Sequence, residues 1–363
     1  MHKIKVLSTE NLEEWNSILK GLENNDIYYD ANYLKIYEQS YNEFVDQAFG
    51  GRAFMFFYGD DDDFVIHIFL RREINLSFYE NADQLYDIIS PYGYSGPIIK
   101  STKINKEELI SKFSREFNNY CKKNNIISEF IRFHPLINNH IQYRLIKQTD
   151  QRSNTIFVDL SLDQDLILKN MNKKTRNLIR KAEKNNIQIR RTADKQDLKR
   201  FFELYTQTME KNQTSKRYFF PYEFFEQTFN LLQPNISLFI AEKDNQIISA
   251  SLFMHKNKYL HYHFSGSDKE FLKFAPNNLL LWHVIKWGKN QGYSKFHLGG
   301  GVSKDDSLFH FKSGFSKKNA EFHTCSVIHD ENIYRELCKA KDRFDEKQGR
   351  KIIKSNFFPY YRK

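Results

Sequence analysis

The stretch after residue 294 combines glycines, aromatic rings and one lysine in a pattern that suits a reaction with developing negative charge. Gly299, Gly300 and Gly301 stand in a row after the apolar letters SKFHL. Consecutive glycines at a strand end allow positive φ angles and a close approach of the backbone to a ligand, as an oxyanion or pyrophosphate site requires. The segment FHFKSGF then places Lys312 next to Phe311, where its ammonium group could balance a phosphate or the oxyanion of acyl transfer. A plain loop and a surface lysine are the alternatives.

A helix start and two histidines in the same half could also contact a ligand. Pro276 stands just before the predicted helix in APNNLLLWHVIKW, whose N-terminal N–H groups could bind a phosphate or carboxylate. An ordinary capped helix is the alternative. His261 and His263 alternate on a predicted strand and therefore share a face. Since no third ligand at a recognisable spacing accompanies them, we predict a polar pocket lining and no metal site.

Positive charge is concentrated in one part of the chain. The 363 residues include 55 Lys and Arg against 45 Asp and Glu, which gives a formal net charge of +10 and favours partners that carry phosphate or carboxylate. Between Lys169 and Arg200 the basic residues are opposed only by Glu183, Asp194 and Asp197. Nucleic acid, nucleotide-linked sugars and anionic lipid all fit such a surface, and a solvated helix face is the alternative.

The second half contains the elements that must position these residues. Residues 166–185 and 197–210 show helical spacing of apolar side chains. The stretch SLFIAEKDNQIISASLFMHKNKYLHYHFSG predicts three antiparallel strands joined by short turns. A helix over residues 278–290, the strands SKFHLGGG and EFHTCSVIHD, and a charged helix over residues 331–348 complete the predicted order.

The first half shows a similar order of elements. Helices are predicted over residues 11–22 and 106–124, and GRAFMFFYG and FVIHIFLRRE predict a hairpin across residues 60–63. Helices combined with consecutive antiparallel strands are typical of an α+β fold and not of a strictly alternating doubly wound sheet. We therefore predict two domains, residues 1–152 and residues 153–363.

Several enzyme classes lack their signatures in this sequence. Since there is no GxGxxG after a strand, no GxxxxGK[ST] and no GxSxG, nicotinamide, P-loop and serine-hydrolase chemistry are not expected. Cys121, Cys325 and Cys338 form no close pair, so we expect neither a disulfide framework nor a zinc knuckle. The N-terminal residues lack a signal-peptide core and no apolar run reaches membrane length, so a cytoplasmic location is expected.

Five segments taken together carry a family resemblance: SPYGYSGPI, FIRFHPL, NKKTRNLIRKAEKNNI, APNNLLLWHVIKWGKNQG, and FHLGGG with FHFKSGF. In order and spacing they resemble the FemABX family of peptidoglycan-bridge aminoacyltransferases and the wider group of tandem GNAT-fold acyltransferases. The resemblance covers nearly the whole chain. It implies an α+β fold with two tandem GNAT-like domains, each a mixed central sheet flanked by helices, and an active site in the C-terminal domain.

The resemblance also implies transfer of an acyl group to an amine. FemABX enzymes use aminoacyl-tRNA and a lipid- or nucleotide-linked muropeptide, whereas relatives use acyl-CoA. This sequence shows no long helical hairpin of coiled-coil character, which tRNA-dependent members often insert in the second domain. Both donors therefore stay open as co-substrates, and no tightly bound cofactor is expected.

The candidate site residues follow from the matching motifs and from position along the fold. The resemblance places Lys312 at the active site. The candidates for substrate binding are Tyr218, Tyr262, Asn277, Gly299, Gly300 and Phe311. The candidates for binding an anion or tRNA are Lys173, Lys174, Arg176 and Arg180.

Acyl transfer from an ester or thioester makes limited demands on an enzyme. The donor already carries its leaving group, so the protein mainly orients a neutral amine, stabilises the tetrahedral oxyanion and removes a proton. Asp305, Asp306 or His263 could take that proton, as could the acceptor's own groups or water.

These observations predict an enzyme that transfers an aminoacyl or acyl group to an amino group of a cell-envelope precursor, either a muropeptide or an amino sugar of a surface polysaccharide. One alternative is an acyl-CoA-dependent N-acetyltransferase of a nucleotide-linked sugar. Another is a non-catalytic RNA-binding protein that uses residues 169–200 as its contact surface. The basic stretch also leaves a peripheral membrane contact open, and the sequence indicates no oligomeric state.

Overall fold

The computed structural model describes residues 2–40, 50–79, 83–301, 306–352 and 357–363. Its strands in chain order are β1 (Lys3–Ser8), β2 (Arg52–Gly59), β3 (Phe64–Glu73), β4 (Tyr86–Ile89), β5 (Ile98–Lys100), β6 (Ile126–Arg132), β7 (Asp150–Asp159), β8 (Gln188–Thr192), β9 (Ile236–Lys243), β10 (Gln246–Lys256), β11 (Tyr259–Ser267), β12 (Lys295–Gly299) and β13 (Asn319–Ile328). Its helices are α1 (Leu12–Lys20), α2 (Ala31–Ser40), α3 (Lys106–Lys123), α4 (Asn139–Tyr143), α5 (Gln164–Asn170), α6 (Lys173–Lys184), α7 (Lys195–Lys211), α8 (Tyr222–Leu231), α9 (Pro276–Asn290), α10 (Ser307–Ser313) and α11 (Glu331–Lys347).

The chain divides into two compact units. The N unit contains residues 1–23, 37–152 and 322–363, and the C unit contains residues 24–36 and 153–321. The predicted domains, 1–152 and 153–363, therefore differ from these units in two segments.

Hydrogen bonds explain both differences. β13 pairs antiparallel with β6, with Cys325 opposite Ile131, so the last part of the chain belongs to the N unit. In the C unit, the Lys256 ammonium donates to Asp30 at 2.5 Å, and the Asn257 amide donates to the backbone carbonyl of Asn25 at 3.0 Å. These bonds between distant positions hold residues 24–36 on the C unit, and sequence periodicity does not register such pairs.

The N unit has a mixed sheet in the order β1-β2-β3-β4-β6-β13, with β5 added beside β3. The predicted hairpin is confirmed, since β2 and β3 pair antiparallel with Phe57 opposite Ile66. β4 and β6 are parallel, and α3 lies between them in the chain as a crossover needs. Phe113 and Phe117 of α3 pack into the aromatic core around Phe56.

The strands of the C unit follow the order β7-β12-β11-β10-β9-β8 and are also mixed in direction. The three predicted antiparallel strands are β9, β10 and β11, while β11 and β12 run parallel and are joined through α9. A bulge between Leu252 and Phe253 interrupts the pairing of β10 with β11. Because alternate side chains face opposite sides of a sheet, Phe264 packs against α7, whereas Phe253 and Phe239 pack on the α9 side. Helices thus cover both faces, as the predicted α+β class requires.

Helix α9 is the most deeply buried helix of this core. Leu281, Val284 and Ile285 are fully buried, and each such side chain contributes about 1.5–3 kcal/mol on transfer from water. None of the helices in the described ranges is long and apolar enough to span a bilayer.

The single helix predicted over residues 166–185 is wrong, because the structure has two helices there. α5 ends at Asn170, and Asn172 caps α6 by accepting a hydrogen bond from the Thr175 backbone N–H at 2.7 Å. An Asn with non-helical backbone angles that accepts from the third following N–H is a strong helix start. The apolar period continues through this break because α5 and α6 both pack their apolar faces on the same core.

Gly266 lies where α7 crosses β11, and replacing it tests the close packing of this helix on the sheet. A Cβ at this position would overlap the backbone of Leu204 and Tyr205 and lie 2.6 Å from the Leu204 carbonyl oxygen. We expect Gly266→Ala to lower the free energy of unfolding by about 2 kcal/mol, because backbone atoms cannot move aside as a side chain can. Urea denaturation measures this change. The control is Glu210→Ala on the exposed side of α7, which should change stability by less than about 0.5 kcal/mol. Equal stability of both variants would contradict the packing.

Candidate functional site

Lys312 is buried in the C unit against the glycine turn. The residue is 8% exposed, and its Nζ donates a hydrogen bond to the carbonyl oxygen of Gly300 at 2.7 Å. Nζ also lies 6.0 Å from the centre of the Tyr262 ring, at the outer limit of a cation–π contact. The structure therefore brings together three residues that the sequence predicted for one site, although they lie up to 50 positions apart.

Burial changes the acid–base behaviour of this lysine. Desolvation disfavours the ammonium form and lowers the pKa of Lys312 to about 8, against a smaller opposing effect of Asp306. At neutral pH the group is still mostly charged. Because an ammonium group has three N–H donors and Gly300 accepts one among the described residues, the site retains donors for a ligand oxygen.

The glycines of the turn are required by this close approach. Gly299 has a φ of +78°, and a Cβ there would lie 3.2 Å from the Lys312 Nζ. A Cβ on Gly300 would lie 3.1 Å from the Asn154 carbonyl oxygen, and one on Gly301 would overlap the Asp306 carboxylate. A side chain on Gly299 would therefore crowd the ammonium group, and side chains on Gly300 and Gly301 would displace the turn from Asn154 and Asp306.

Of the two aspartates predicted as possible bases, the structure describes Asp306. Asp306 caps α10, because its Oδ1 accepts a hydrogen bond from the Phe309 backbone N–H at 2.8 Å. This bond orients the helix that carries Lys312. Asp305 lies outside the described residues.

Two aromatic candidates lie near the lysine. Tyr262 stacks on Phe253, with ring centres 5.6 Å apart, and burial raises the pKa of its hydroxyl while Ser265 and Ser251 oppose that rise. Tyr262 is thus a neutral hydrogen-bonding group at the site. Phe311 contacts Phe315 edge-on at 5.5 Å and packs on the core of the C unit, so it supports α10.

His263 sits at the bulge of β11 in an aromatic setting. Its ring contacts Phe264 at 3.9 Å and Tyr33 at 6.4 Å between centres. Burial, with a smaller contribution from His261, lowers the pKa of His263 to about 3. The ring is therefore neutral at pH 7 and a weak proton acceptor, which makes it poorly matched to the predicted role of base.

Asn277 lies in the first turn of α9 and fastens that helix to the sheet. Its Oδ1 accepts hydrogen bonds from the hydroxyl of Ser267 at 2.9 Å and from that of Ser249. The helix begins after Ala275 with Pro276 in its first turn and without a side-chain cap. Asn277 therefore orients a helix start whose N–H groups suit an anion, and its own oxygen is already used.

Tyr218 lies in a different environment from Lys312. Its backbone carbonyl accepts a hydrogen bond from the Tyr205 hydroxyl at 2.7 Å, and its ring lies under the Arg217 guanidinium. The neighbouring rings of Phe220 and Phe224 fill the space beside α7. The described contacts of Tyr218 do not include Lys312, so a direct role at the lysine gains no support from them.

The basic helix α6 is fixed to the segment that carries the lysine. The Asn172 backbone N–H donates to the Gly314 carbonyl at 3.0 Å, and a Cβ on Gly314 would overlap the Thr175 hydroxyl. Lys173, Lys174 and Arg180 are exposed. Arg176 differs, because its guanidinium donates to the Lys169 carbonyl at 3.1 Å and to the Met171 carbonyl, which joins α5 to α6.

Sequence reasoning missed a buried acid–base pair in this unit. The Asp26 carboxylate lies 2.7 Å from the His261 Nε2, and both side chains are buried. The Tyr28 ring contacts the same histidine edge-on at 4.9 Å. No local motif marks Asp26, since its partner lies 235 positions away.

Comparison with known proteins places this geometry in context. Residues 169–313 match the family described as an acetyltransferase (GNAT) domain. The structure of FemX is similar with a TM-score of 0.64 and 14% identity, covering 92% of this chain and 99% of that one. The C-terminal domain (DUF2156) of a protein assigned as a lysylphosphatidylglycerol synthetase from Agrobacterium fabrum is similar with a TM-score of 0.54 and 12% identity. The match covers 93% of this chain and 96% of that one. The structure of L-PGS from Bacillus licheniformis is similar with a TM-score of 0.50 and 11% identity, covering 88% of this chain and 92% of that one. A comparison with curated protein sequences found no match.

These similarities show the fold, and the family match lies within the C unit. The predicted FemABX-like fold of two tandem GNAT-like domains, with mixed sheets flanked by helices, is confirmed. The matched segment begins at Lys169 and ends just after Lys312, so it contains all of the candidate site residues. The C unit accordingly contains the segment that matches the acetyltransferase (GNAT) domain.

The buried lysine predicts a specific dependence of stability on pH. The pKa of Lys312 is about 8 in the folded chain against its ordinary value of 10.5, so between these pH values the unfolded chain binds more protons and stability rises with pH. From pH 8 to 10.5 the free energy of unfolding should rise by roughly 3 kcal/mol more in the wild type than in Lys312→Met. Below pH 8 the difference in the free energy of unfolding between the wild type and Lys312→Met should stay constant. Urea unfolding across this range provides the measurement, and parallel profiles up to pH 10.5 would contradict the burial.

Proposed function

We propose that this chain, an acyltransferase with the FemX-like tandem GNAT fold, transfers an aminoacyl or acyl group to an amino group of a cell-envelope precursor. The acceptor is a muropeptide or an amino sugar of a surface polysaccharide, carried on a nucleotide or lipid. The observation that supports the chemistry most is the ammonium group of Lys312, buried and oriented by Gly300.

The proposed reaction is a direct attack of the acceptor amine on the donor carbonyl. The new N–C bond forms while the carbonyl oxygen becomes an oxyanion, and collapse of this intermediate breaks the ester C–O or thioester C–S bond. Lys312 donates to the oxyanion in a water-poor position, where such a hydrogen bond is much stronger than in water. Gly300 fixes the ammonium group before the reaction, so little reorganisation is needed.

The proton released by the amine does not require a strong base of the protein. Asp306 is engaged as the cap of α10, and the pKa of His263 is about 3. The leaving oxygen or sulfur of the donor, or water, can accept the proton, because the amine becomes acidic once it has bonded to the carbonyl carbon.

The exposed cations of α6 supply the proposed binding surface for the donor or acceptor. Lys173, Lys174 and Arg180 extend from a helix tied to Gly314, two residues after the lysine. Aminoacyl-tRNA, acyl-CoA and a diphosphate-linked acceptor all present phosphates that such a surface attracts. A cytoplasmic location belongs to this proposal because both donors occur there, and the same cations could touch anionic lipid at the membrane surface.

Replacing Lys312 tests the catalytic proposal. We expect Lys312→Met to lower kcat for acyl transfer by 10²–10³, because one oxyanion donor is lost. The assay supplies radiolabelled aminoacyl-tRNA or acyl-CoA with a muropeptide or amino-sugar acceptor and measures the labelled amide. Lys317→Met is the matched control, since this exposed lysine lies outside the turn, and it should retain full activity. A wild-type rate in Lys312→Met would refute the assignment.

Salt dependence tests the basic helix. The triple variant Lys173→Gln, Lys174→Gln, Arg180→Gln should bind a phosphate-rich donor more weakly, and the slope of log K against log salt should fall by about 2–3. The control removes three other exposed lysines of the C unit, Lys199, Lys211 and Lys216, and should keep the wild-type slope. Ribonuclease sensitivity of transfer would assign the donor to tRNA, and resistance would assign it to acyl-CoA. Identical slopes in both triple variants would remove α6 from the proposal.

A further inference from the structure

The N unit contains a cavity of about 420 Å³ that the proposed acyl transfer does not use. Its wall includes one side of α3, the α4 residue Tyr143, and residues of β3, β6 and β13. A volume of this size lies within the range of sites for small ligands. Every residue that lines it belongs to the N unit, so the cavity is complete within that unit.

A charged cluster forms the floor of this cavity. The Glu129 carboxylate lies 2.5 Å from the His67 Nε2 through one oxygen and 3.4 Å from the His329 Nε2 through the other. His67 and Glu129 are only 2% and 3% exposed. Burial opposes ionisation, but the two histidines hold the pKa of Glu129 at about 2, so the carboxylate is charged. An ionised group in this position is costly to bury and needs these partners.

Two ring nitrogens of this cluster make no hydrogen bond within the described residues, the His67 Nδ1 and the His329 Nε2, although the second lies within ion-pair distance of Glu129. His67 faces Glu129 through Nε2, and its Nδ1 has no partner. A buried ring nitrogen without a partner costs about 1–3 kcal/mol in general, so a purely structural cluster would be expected to satisfy it. Because the ionised Glu129 only accepts, the His67 Nε2 carries a proton, and Nδ1 accepts a hydrogen bond when the ring is neutral or donates one when the ring is charged. A hydroxyl group is the simplest complement, because it can donate or accept.

The rim of the cavity carries positive charge, in contrast to the Glu129 carboxylate at its floor. Arg115 of α3 and Lys147 line it, and both are exposed. The Arg115 Nε donates to Glu116 at 3.1 Å, so the two terminal nitrogens of the guanidinium and the Lys147 ammonium are the donors offered to a ligand. Ser114 and Asn118, one turn apart on α3, add uncharged hydrogen-bonding groups, although the Asn118 Oδ1 already lies 3.2 Å from the His329 Nδ1. Because Glu129 repels negative charge from the floor, an anionic group is favoured only at the rim.

We propose that this cavity binds a small hydroxylated anion, with its carboxylate or phosphate at Arg115 and Lys147 and its hydroxyl groups at Asn118 and the His67–Glu129 floor. The polarity of the site runs from cationic to uncharged to a buried histidine–carboxylate pair, and such a ligand matches each part. A divalent metal matches it less well, because the Nε2 atom of His67 already bonds to the carboxylate that a metal would need.

The test measures binding of two probes to the full-length protein by isothermal titration calorimetry. Glycerol 3-phosphate represents a phosphate ligand and glycerate a carboxylate ligand. Propyl phosphate lacks the hydroxyls, and glycerol lacks the anion. We expect at least one of the first two to bind at least 10-fold more tightly than propyl phosphate and glycerol, and the tighter of the two identifies the anionic group.

Variants of α3 then locate the binding. Ser114→Phe places a ring over the cavity from a half-buried helix position and should weaken binding at least 10-fold, whereas Asn119→Phe, exposed on the same helix away from the cavity, should not. Arg115→Gln with Lys147→Gln should also weaken it at least 10-fold, against Lys122→Gln with Lys123→Gln as the charge-matched control. Circular dichroism melting verifies that each variant is folded. Failure of both probes to bind, or unchanged affinity in folded Ser114→Phe, would overturn the proposal.

Discussion

A buried ammonium group imposes the main constraint on the C unit. Lys312 carries a charge at neutral pH in a position that is 8% exposed, and such a charge is tolerated only where oxygen atoms receive its hydrogen bonds. The Gly300 carbonyl meets this need at 2.7 Å, which in turn requires a backbone without side chains at the turn. Asp306 fixes the start of α10, and Gly314 joins the end of that segment to α6. The surroundings of one side chain thus set the geometry of several elements.

The sheet supplies the frame for this arrangement. β11 and β12 are parallel neighbours with His261 opposite His297, so their carboxyl ends lie at the same edge. Tyr262 and the glycine turn therefore lie close together although α9 separates them in the chain. The bulge between Leu252 and Phe253 changes the register on β11 beside Tyr262, and bulges commonly redirect side chains next to functional sites.

Local features of the sequence predicted what depends on neighbours in the chain. The hairpin of β2 and β3, the amphipathic helices and the pairing of the glycine turn with Lys312 all follow from short-range patterns or from the FemABX resemblance. The break between α5 and α6 was missed although Asn172 has the side chain of a helix cap, because the apolar period continues through it. Residues 24–36 belong to the C unit through contacts such as that of Asp26 with His261, and residues 322–363 belong to the N unit through pairs such as Cys325 with Ile131. The partners in each pair lie too far apart in sequence for periodicity to predict them. The weak basicity of His263 likewise follows from tertiary burial.

The account rests on Lys312 acting as a buried donor to an oxyanion, and its titration measures this most directly. Nuclear magnetic resonance of the lysine side chain, assigned through Lys312→Met, gives the pKa with and without a phosphonate analogue of the tetrahedral intermediate. The account predicts a pKa of about 8 in the unliganded protein and a rise of at least one unit when the phosphonate binds, because the anion favours the charged form. A pKa near 10.5 that does not change on phosphonate binding would show that the ammonium group is solvated and remote from the reacting carbonyl.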